Sequence, residues 1–389
     1  MKVLICHNRY RSNSPSGENQ VVDSEISLLR RAGVEVIQMI EDSDSIVSGG
    51  LIVMGNAALG PLYSPKGVRR FKALLREEHP DLIHLHNVFP LISPAVIRAA
   101  KAAGLPIVQT IHNYRHTCVN GSHFRDGHLC DDCIGHRVAY PAVLHGCYRG
   151  SRPQSVAMAL GQAAHRGTWG MVDKLVALTP LMARRLLAAG FEGKQIAVRP
   201  SWTADPGEQP AGPGADFLYL GRLEEAKGIN LLLEAWRLRK AGSGRRLRIA
   251  GTGPLGEHIR SMALLEDNVD YLGHLDRSEV AAAIQDCGVV VIPSLWYEGL
   301  PLTFVEALAH GRPAIVNEGT STASMVTDGL AWSVPPTADS WRETIDMITQ
   351  DDIEARGMAA RKFYSETCSP PAALKSLLQI YQDLLRRSG

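Results

Sequence analysis

Acidic and basic side chains follow predicted strands in the second half of the chain, at a spacing that suits phosphate and sugar chemistry. Glu298 and Glu306 have seven residues between them, and Pro301 begins a predicted helix in that interval. Free N–H groups at a helix start favour a phosphate, and an acid one turn along the helix could hold a sugar hydroxyl. Arg222 and Lys227 follow another strand and could neutralise phosphate charge.

A plainer interpretation of the same spacing stays open. Strand–loop–helix units are common in α/β proteins, and two acids eight residues apart can simply be surface charges. Gly251 and Gly253, which follow a further strand, would let a ligand approach the backbone closely. We expect these strand ends to meet at one edge of a sheet, where α/β proteins bind ligands.

Histidines end two predicted strands of the first half, one at His86 and the next at His112. The loop after the first strand carries a single glycine, Gly17, and therefore lacks the Gly-x-Gly-x-x-Gly of a dinucleotide-binding oxidoreductase. An isolated histidine is often a structural hydrogen-bonder. Two histidines at the edge where such sheets bind ligands favour contact with a ligand.

A cysteine-rich stretch interrupts the first half with little helix or strand pattern. Cys118, Cys130, Cys133 and Cys147 form C-x11-C-x2-C-x13-C. Four thiolates can close a tetrahedral structural zinc site, although the common zinc pattern has two C-x-x-C pairs and this one has a single pair. Small buried thiols and a redox-active pair stay open as alternatives. A four-cysteine set leaves no position open for catalysis, so we do not expect a catalytic zinc.

A strand–helix–strand pattern recurs along the chain and positions these residues. It begins with the apolar residues 3–6, and it restarts at residue 217 after a stretch rich in proline and glycine. The pattern predicts an α/β fold with two doubly wound, Rossmann-like domains. The predicted ranges are 1–205 for the first domain, with the cysteine-rich insertion at 113–150, and 206–370 for the second.

The composition is that of an ordinary globular protein, with 389 residues, 45% hydrophobic residues and a formal net charge of +1. This charge gives no indication of nucleic-acid binding. No run approaches the ~18 apolar residues of a membrane span. The start of the chain reads as a strand and not as a signal peptide. We therefore expect a cytoplasmic protein whose cysteines are thiols or metal ligands.

The order of these motifs resembles a known enzyme family. Gly-Arg-Leu at 221–223, Lys227, Gly-x-Gly at 251–253 and the pair Glu298 and Glu306 look like the retaining glycosyltransferases of family 4, which have the GT-B fold. The resemblance covers nearly the whole chain. The cysteine-rich insertion is absent from most members but is similar to that of a subset. The chain departs from the family at 199–202, where many members have Asn-Gly, which affects the expected hinge and not the chemistry.

The resemblance implies a role for each candidate residue. Glu298 and His112 would contact the transferred sugar, and Arg222 and Lys227 would neutralise the donor diphosphate. The domains would face each other across a cleft, and a last helix, 371–389, would cross back to the first domain. The implied catalytic residues are Glu298, His112, Lys227 and Arg222, and the implied ligand-binding residues are Gly17, Arg222, Lys227, Gly251, Gly253, Leu302, Thr303 and Glu306.

The implied reaction is retaining transfer of a hexose from a UDP- or GDP-sugar to an acceptor hydroxyl, without a catalytic metal. Polysaccharide, glycolipid and natural-product biosynthesis are the expected settings, in the cytoplasm or at the inner face of the membrane through peripheral association. A nucleotide-sugar-binding protein and an epimerase of the same fold stay open as alternatives. The sequence names neither the nucleotide, the sugar, the acceptor nor the oligomeric state.

Overall fold

The structure is a computed structural model, and it describes residues 1–12, 17–48, 59–207, 212–239, 244–327 and 329–388. The chain forms two compact units. Unit 1 comprises Met1–His123, Cys130–Arg199 and Leu374–Gly389, and unit 2 comprises Phe124–Leu129 and Pro200–Ala373. The units therefore divide at Arg199 and Ala373, whereas the sequence placed the domain ends at 205 and 370.

Unit 1 is built on a six-stranded parallel sheet with the order β2-β1-β3-β4-β7-β8. Strand β1, the second in this order, pairs with β2 on one side and with β3 on the other. Its apolar residues are fully buried, as expected for a parallel sheet covered on both faces. The strands are β1 (Lys2–Arg9), β2 (Glu35–Asp42), β3 (Leu82–Leu85), β4 (Ile107–Ile111), β7 (Lys174–Ala177) and β8 (Ile196–Val198).

The helices of unit 1 begin where the sequence offers caps. Ser64, Ser151 and Thr179 each accept a hydrogen bond from a backbone N–H of the first turn, and a proline follows each of them inside the helix. The helices are α1 (Gly17–Arg31), α2 (Ser45–Ser48), α3 (Pro65–Glu78), α4 (Ala95–Ala102), α5 (Tyr140–Leu144), α6 (Arg152–Trp169) and α7 (Pro180–Ala188).

The cysteine-rich insertion has more regular structure than its sequence pattern predicts. It contains α5 and a short antiparallel hairpin of β5 (Phe124–Arg125) and β6 (His128–Leu129). Asp126 and Gly127 at the turn both have positive φ, 50° and 79°, as two-residue hairpin turns require. Strands of two residues are too short to show a hydrophobic alternation, so the pattern could not reveal them.

Unit 2 holds a second six-stranded parallel sheet, with the order β11-β10-β9-β12-β13-β14. The prediction of two parallel α/β sheets is therefore confirmed. The strands are β9 (Phe217–Leu220), β10 (Leu247–Ala250), β11 (Val269–Gly273), β12 (Val289–Ile292), β13 (Ala314–Asn317) and β14 (Ala331–Val334). The helices are α8 (Ile229–Arg237), α9 (Gly256–Ala263), α10 (Arg277–Asp286), α11 (Leu302–Ala309), α12 (Ala338–Met347) and α13 (Gln350–Phe363).

The last helix, α14 (Pro370–Ser388), completes the core of unit 1. Its buried residues Leu377, Ile380, Tyr381 and Leu384 pack in one cluster with Val3 and other residues of β1, α1 and the neighbouring strands. Unit 2 has a separate core around β9, α8 and α12. Although α14 has 19 residues, no helix in the described part of the chain is long and apolar enough to cross a membrane.

Candidate functional site

Three neighbouring strands of unit 2 bring the predicted donor-binding residues to one edge of its sheet. β9 pairs with β10 on one side and with β12 on the other, and all three run parallel. The loop after β9 carries Arg222 and Lys227, the loop after β10 carries Gly251, and the loop after β12 carries Glu298. These loops lie at the carboxyl ends of the strands, which is where open α/β sheets bind ligands.

Lys227 and Glu298 form an ion pair across this edge. The Lys227 Nζ donates to Glu298 Oε2 at 2.7 Å, and Ser294 Oγ donates to the other carboxylate oxygen of Glu298. Only 20% of the lysine side chain and 10% of the glutamate side chain are exposed. The Lys227 Nζ also lies 5.6 Å from the centre of the Trp296 ring. The ion pair therefore fixes the ammonium group of Lys227 beside the start of α11.

Arg222 forms an ion pair with Glu224 and stays accessible. Its Nη2 lies 2.6 Å from Glu224 Oε2, and 64% of its side chain is exposed. Its backbone carbonyl accepts a hydrogen bond from Tyr219 OH at 2.8 Å. The backbone of Arg222 is thus fixed to the sheet, whereas its guanidinium lies in solvent and can turn towards a ligand.

The two predicted glycines sit where the loops after β9 and β10 touch each other. At Gly251, with φ of 142°, a β-carbon would lie 1.8 Å from the carbonyl oxygen of Gly221. At Gly253 a β-carbon would lie 2.5 Å from the carbonyl oxygen of Leu223. The close approach that requires glycine here is between two segments of the chain itself. Close approach of a ligand to these two glycines stays a prediction.

The helix α11 supplies both an anion-binding terminus and an acid. Leu302 and Thr303 are its first residues after Pro301, so their N–H groups have no partner within the helix. Thr303 Oγ1 reaches the carbonyl oxygen of Leu220 at 3.5 Å. The half-buried carboxyl of Glu306 has no hydrogen-bond partner among the described residues. Burial raises the pKa of Glu306, and Arg277 partly opposes this effect.

In unit 1, the predicted sugar-contacting residue His112 is joined to a buried ion pair. His112 Nε2 lies 2.9 Å from His86 Nδ1, and the two rings stack. His86 Nε2 lies 3.3 Å from Glu25 Oε1, and Arg199 binds the other oxygen of that carboxylate. The sequence analysis missed Glu25, although one signal was available: it is an acid within the buried face of α1, between Val22 and Ile26.

The pKa values show how this network distributes its charge. Burial acts to raise the pKa of Glu25, but Arg199 and the two histidines outweigh burial, so the pKa lies below its usual value. Burial and the neighbouring His86 lower the pKa values of His84 and His112. At neutral pH Glu25 is therefore a carboxylate whose charge is balanced by Arg199, and His84 and His112 are neutral.

Glu25, His84 and His86 are also the only set of three potential metal ligands found close together in the described residues. Arg199 already binds the carboxylate of Glu25. A second cation would have to share this buried site with the guanidinium, at a high electrostatic cost. The chemistry of the donors thus fits an ion-pair network better than a metal site.

A small cavity adjoins His112 at the carboxyl ends of β3 and β4. Its volume is about 20 Å³, and Glu18, Arg115 and His86 are among its other lining residues. Burial raises the pKa of Glu18 to about 7, and the charge of Arg115 partly opposes this effect. The space suits one water or one hydroxyl group. Gly17, the predicted loop contact, is exposed at the start of α1 and follows residues 13–16, which lie outside the described ranges.

The four cysteines of the predicted zinc site are thiols in one neighbourhood. Burial, together with the neighbouring Cys118, Cys147 and Cys130 and against a backbone hydrogen bond at Ala142, raises the pKa of Cys133 to about 11. Cys118 Sγ donates to Asn120 Oδ1 at 2.8 Å. In the described residues, the cysteine sulfurs do not form a set of three within 4.8 Å of one another. The zinc site therefore stays a prediction.

A much larger cavity, of about 730 Å³, opens beside these cysteines in unit 1. The side chains of His116 and Trp169, whose ring centres are 4.4 Å apart, line it. Arg137, Arg166 and Arg184 also line it, and none of these three has a hydrogen bond or ion pair among the described residues. The acids Asp131 and Glu192 in its wall are already paired with Arg185 and Lys194. The cavity therefore carries an excess of positive charge.

Two family models match adjoining segments that together cover residues 16–363. Residues 16–202 match the glycosyl transferase 4-like domain, and residues 202–363 match the glycosyl transferases group 1. WcaL of Escherichia coli K12, whose name assigns it as a glycosyltransferase to colanic acid biosynthesis, is 31% identical over 179 residues. That alignment covers 42% of this chain and 44% of WcaL, so it spans less than half of the relative.

Solved structures share the fold over nearly the whole length. The sucrose-phosphate synthase of Thermosynechococcus elongatus has a TM-score of 0.69 at 16% identity, and the match covers 99% of each chain. HepE of Anabaena, solved in complex with UDP-glucose, has a TM-score of 0.64 at 13% identity, covering 99% of this chain and 100% of HepE. At these identities the likeness concerns the fold.

Proposed function

We propose that this chain, which belongs to the group 1 glycosyltransferases and has the GT-B fold, transfers a sugar from a nucleotide-diphosphate donor to an acceptor hydroxyl. One observation carries the proposal, which is that three groups lie at one sheet edge of unit 2. They are Lys227, which Glu298 holds in place, the N-terminus of α11, and the carboxyl of Glu306, which has no partner among the described residues. This arrangement matches the chemistry of a diphosphate joined to a ribose.

The donor would bind through its charges. Lys227, the exposed guanidinium of Arg222 and the N–H groups of Leu302 and Thr303 would neutralise the diphosphate without a metal. Glu306 would accept hydrogen bonds from the ribose hydroxyls. Glu298 would contact the sugar, with Ser294 and Lys227 fixing its orientation. HepE, of the same fold, is solved with UDP-glucose, which supports a UDP-hexose, and GDP remains the second candidate.

We propose that the transfer retains the configuration at the anomeric carbon. The bond between that carbon and the diphosphate oxygen breaks, the acceptor oxygen bonds to the carbon from the same face, and the departing phosphate takes the acceptor proton. The groups around the diphosphate stabilise the charge that develops on it, and this is where preorganised donors contribute most to catalysis.

We place the acceptor at unit 1 and propose that it carries an anionic group. The cavity beside the cysteines has three arginines without partners, and guanidinium groups bind phosphate and carboxylate with paired hydrogen bonds. Ile134 and Tyr140 on the same segment are large apolar side chains with 43% and 54% exposure, which supports peripheral attachment to a membrane surface. The name of WcaL supports a polysaccharide as the product.

A thermal-shift screen of UDP, GDP and ADP identifies the nucleotide, because a ligand that binds only the folded state raises the melting temperature. Release of that nucleotide from its sugar donors then tests the reaction. Lys227→Ala should lower kcat by about 100-fold or more, since loss of one such group costs about 3 kcal/mol. Lys362→Ala, an exposed lysine of α13 in the same unit, is the matched control and should leave kcat unchanged.

An unchanged kcat in folded Lys227→Ala would refute this assignment. A protein of this fold that binds nucleotide sugars without transferring them is the main alternative. It predicts a thermal shift with the nucleotide but neither transfer nor donor hydrolysis with any acceptor.

A further inference from the structure

His112 has one ring nitrogen bound and one open. Its Nε2 lies 2.9 Å from His86 Nδ1. Its Nδ1 has no hydrogen-bond partner among the described residues, and the side chain lines the small cavity that Glu18 and Arg115 also line. Whether that open nitrogen donates or accepts a hydrogen bond depends on which of the two nitrogens carries the proton.

The contacts of His86 determine which nitrogen of His112 carries the proton. The Nε2 of His86 faces Glu25 Oε1 at 3.3 Å without the geometry of a full hydrogen bond, and because a bare lone pair would be repelled by the carboxylate, the proton of His86 is favoured on Nε2. The Nδ1 of a neutral His86 is then a bare acceptor, so His112 has to supply the proton in the bond between the two rings. Arg199 already balances the charge of Glu25 in this buried place, which disfavours a further positive charge on His86.

We infer that Glu25 and His86 are positioning residues that fix His112 as the Nε2–H tautomer, with the Nδ1 lone pair turned to the substrate. In this state His112 accepts a hydrogen bond from a hydroxyl of the sugar or of the acceptor. The role in catalysis rests on the proposed function, because only that function places a substrate at His112.

His84 is a side branch of the same network and offers a control. Its Nδ1 lies 2.6 Å from Tyr381 OH, and its Nε2 lies 2.8 Å from Thr110 Oγ1. His84 Nδ1 also lies 3.2 Å from Glu25 Oε1, and neither nitrogen of His84 is hydrogen-bonded to His112. Loss of the Tyr381 hydroxyl should weaken the fold without changing the tautomer of His112.

The tautomer can be read directly from the wild-type chain without substrate. Nitrogen chemical shifts of protein labelled with ¹⁵N-histidine distinguish a protonated from a bare ring nitrogen, and the spectrum of His112→Gln identifies the His112 signals. We expect a protonated Nε2 and a bare Nδ1 at neutral pH. A protonated Nδ1 would overturn the inference, whether or not the chain proves to be a transferase.

Glu25→Gln tests the chain of contacts in the enzyme. The amide can donate a hydrogen bond to His86 Nε2. This exchange reverses the tautomers of His86 and His112 and leaves a proton on His112 Nδ1. We expect kcat to fall at least about tenfold with little change in the donor KM, as with other histidines held in the wrong tautomer. Adding His112→Gln should then cause no further loss, and Tyr381→Phe should keep the wild-type kcat.

Losses that simply add in the double variant would show that Glu25 does not act through His112, and would overturn the inference. If Glu25→Gln does not fold, His86→Phe keeps a ring in that position, removes the acceptor, and should give the same loss of kcat. If wild-type protein transfers no sugar at all, the proposed function fails, while the nitrogen shifts still decide the tautomer.

Discussion

Glu306 is a carboxyl with no hydrogen-bond partner of its own among the described residues, and burial raises its pKa above the usual value of a glutamate. Only the ionised form accepts hydrogen bonds from a ribose through both oxygens with the added strength of a negative charge. A raised pKa means that the carboxyl takes up a proton earlier as the pH falls. The nucleotide affinity should therefore decrease as the pH falls, and the decrease should begin above the ordinary pKa of a glutamate, which is about 4.3.

Calorimetric titration of the nucleotide at several pH values measures this effect. Glu306→Gln should bind more weakly at neutral pH and lose the pH dependence. Glu354→Gln, an exposed residue of α13, makes the same change in charge and should match the wild type. Equal affinities for wild type and Glu306→Gln would speak against the ribose role.

At this scale the sequence revealed residues better than their contacts. Arg222, Lys227 and Glu298 were found because they follow strand ends and match a family pattern. The bond between Lys227 and Glu298, which joins residues 71 positions apart, could not be predicted, because it depends on β9 and β12 being neighbours. Glu25 was missed because an acid in an amphipathic helix looks like a surface residue until its partner Arg199 is known.

At the scale of elements, the contact between the loops after β9 and β10 sets a steric limit. Gly251→Ala would force a β-carbon against the Gly221 carbonyl in a backbone region that side chains rarely adopt. We expect a loss of at least about 2 kcal/mol in the free energy of unfolding.

Urea unfolding with matched variants checks this prediction. Gly167→Ala in α6 is the control, because a β-carbon there meets no atom within 4 Å, and alanine favours a helix by up to about 1 kcal/mol. A Gly251→Ala protein as stable as the wild type would mean that the two loops can separate at little cost.

The cysteine-rich insertion makes a prediction about metal content. If Cys118, Cys130, Cys133 and Cys147 bind structural zinc, protein purified without chelators should contain about one zinc per chain, since four thiolates complete a tetrahedral site. Cys133→Ser should lower this content, whereas Cys287→Ser, a buried thiol of unit 2, should not. Clearly substoichiometric zinc in the wild type would end the idea.

Elements with a long apolar pattern were predictable, and the irregular ones were not. The runs that form β1 and β12 are buried on both faces and read directly as strands of a parallel sheet. The hairpin at Phe124–Leu129 was not visible, because two-residue strands carry no periodicity. The hairpin belongs to unit 2, although the residues on either side of it belong to unit 1. This assignment depends on contacts that no local sequence pattern records.

At the scale of the whole molecule, the two units have separate cores. One core packs around β1 and α14, and the other around β9 and α12. We expect two transitions in differential scanning calorimetry, because domains with their own cores unfold as separate units. A nucleotide bound at unit 2 should raise the temperature of only one transition. At a concentration 100 times its Kd, it adds about 2.7 kcal/mol to the free energy of unfolding of that unit.

Tyr381→Phe identifies the transitions, since it removes the bond to His84 and should lower the one that belongs to unit 1. A single transition that shifts as a whole with nucleotide would show that the cores unfold together.

The position of α14 in the core of unit 1 also determines the order of events during synthesis. The strands of unit 1 emerge from the ribosome by Arg199, but residues that close their core lie at 374–388. At about 5–20 residues per second, translation of the intervening chain takes roughly 10–40 seconds. Throughout that interval the nascent sheet exposes an apolar groove that only the final helix can cover. The half of the protein that is made first is thus completed last.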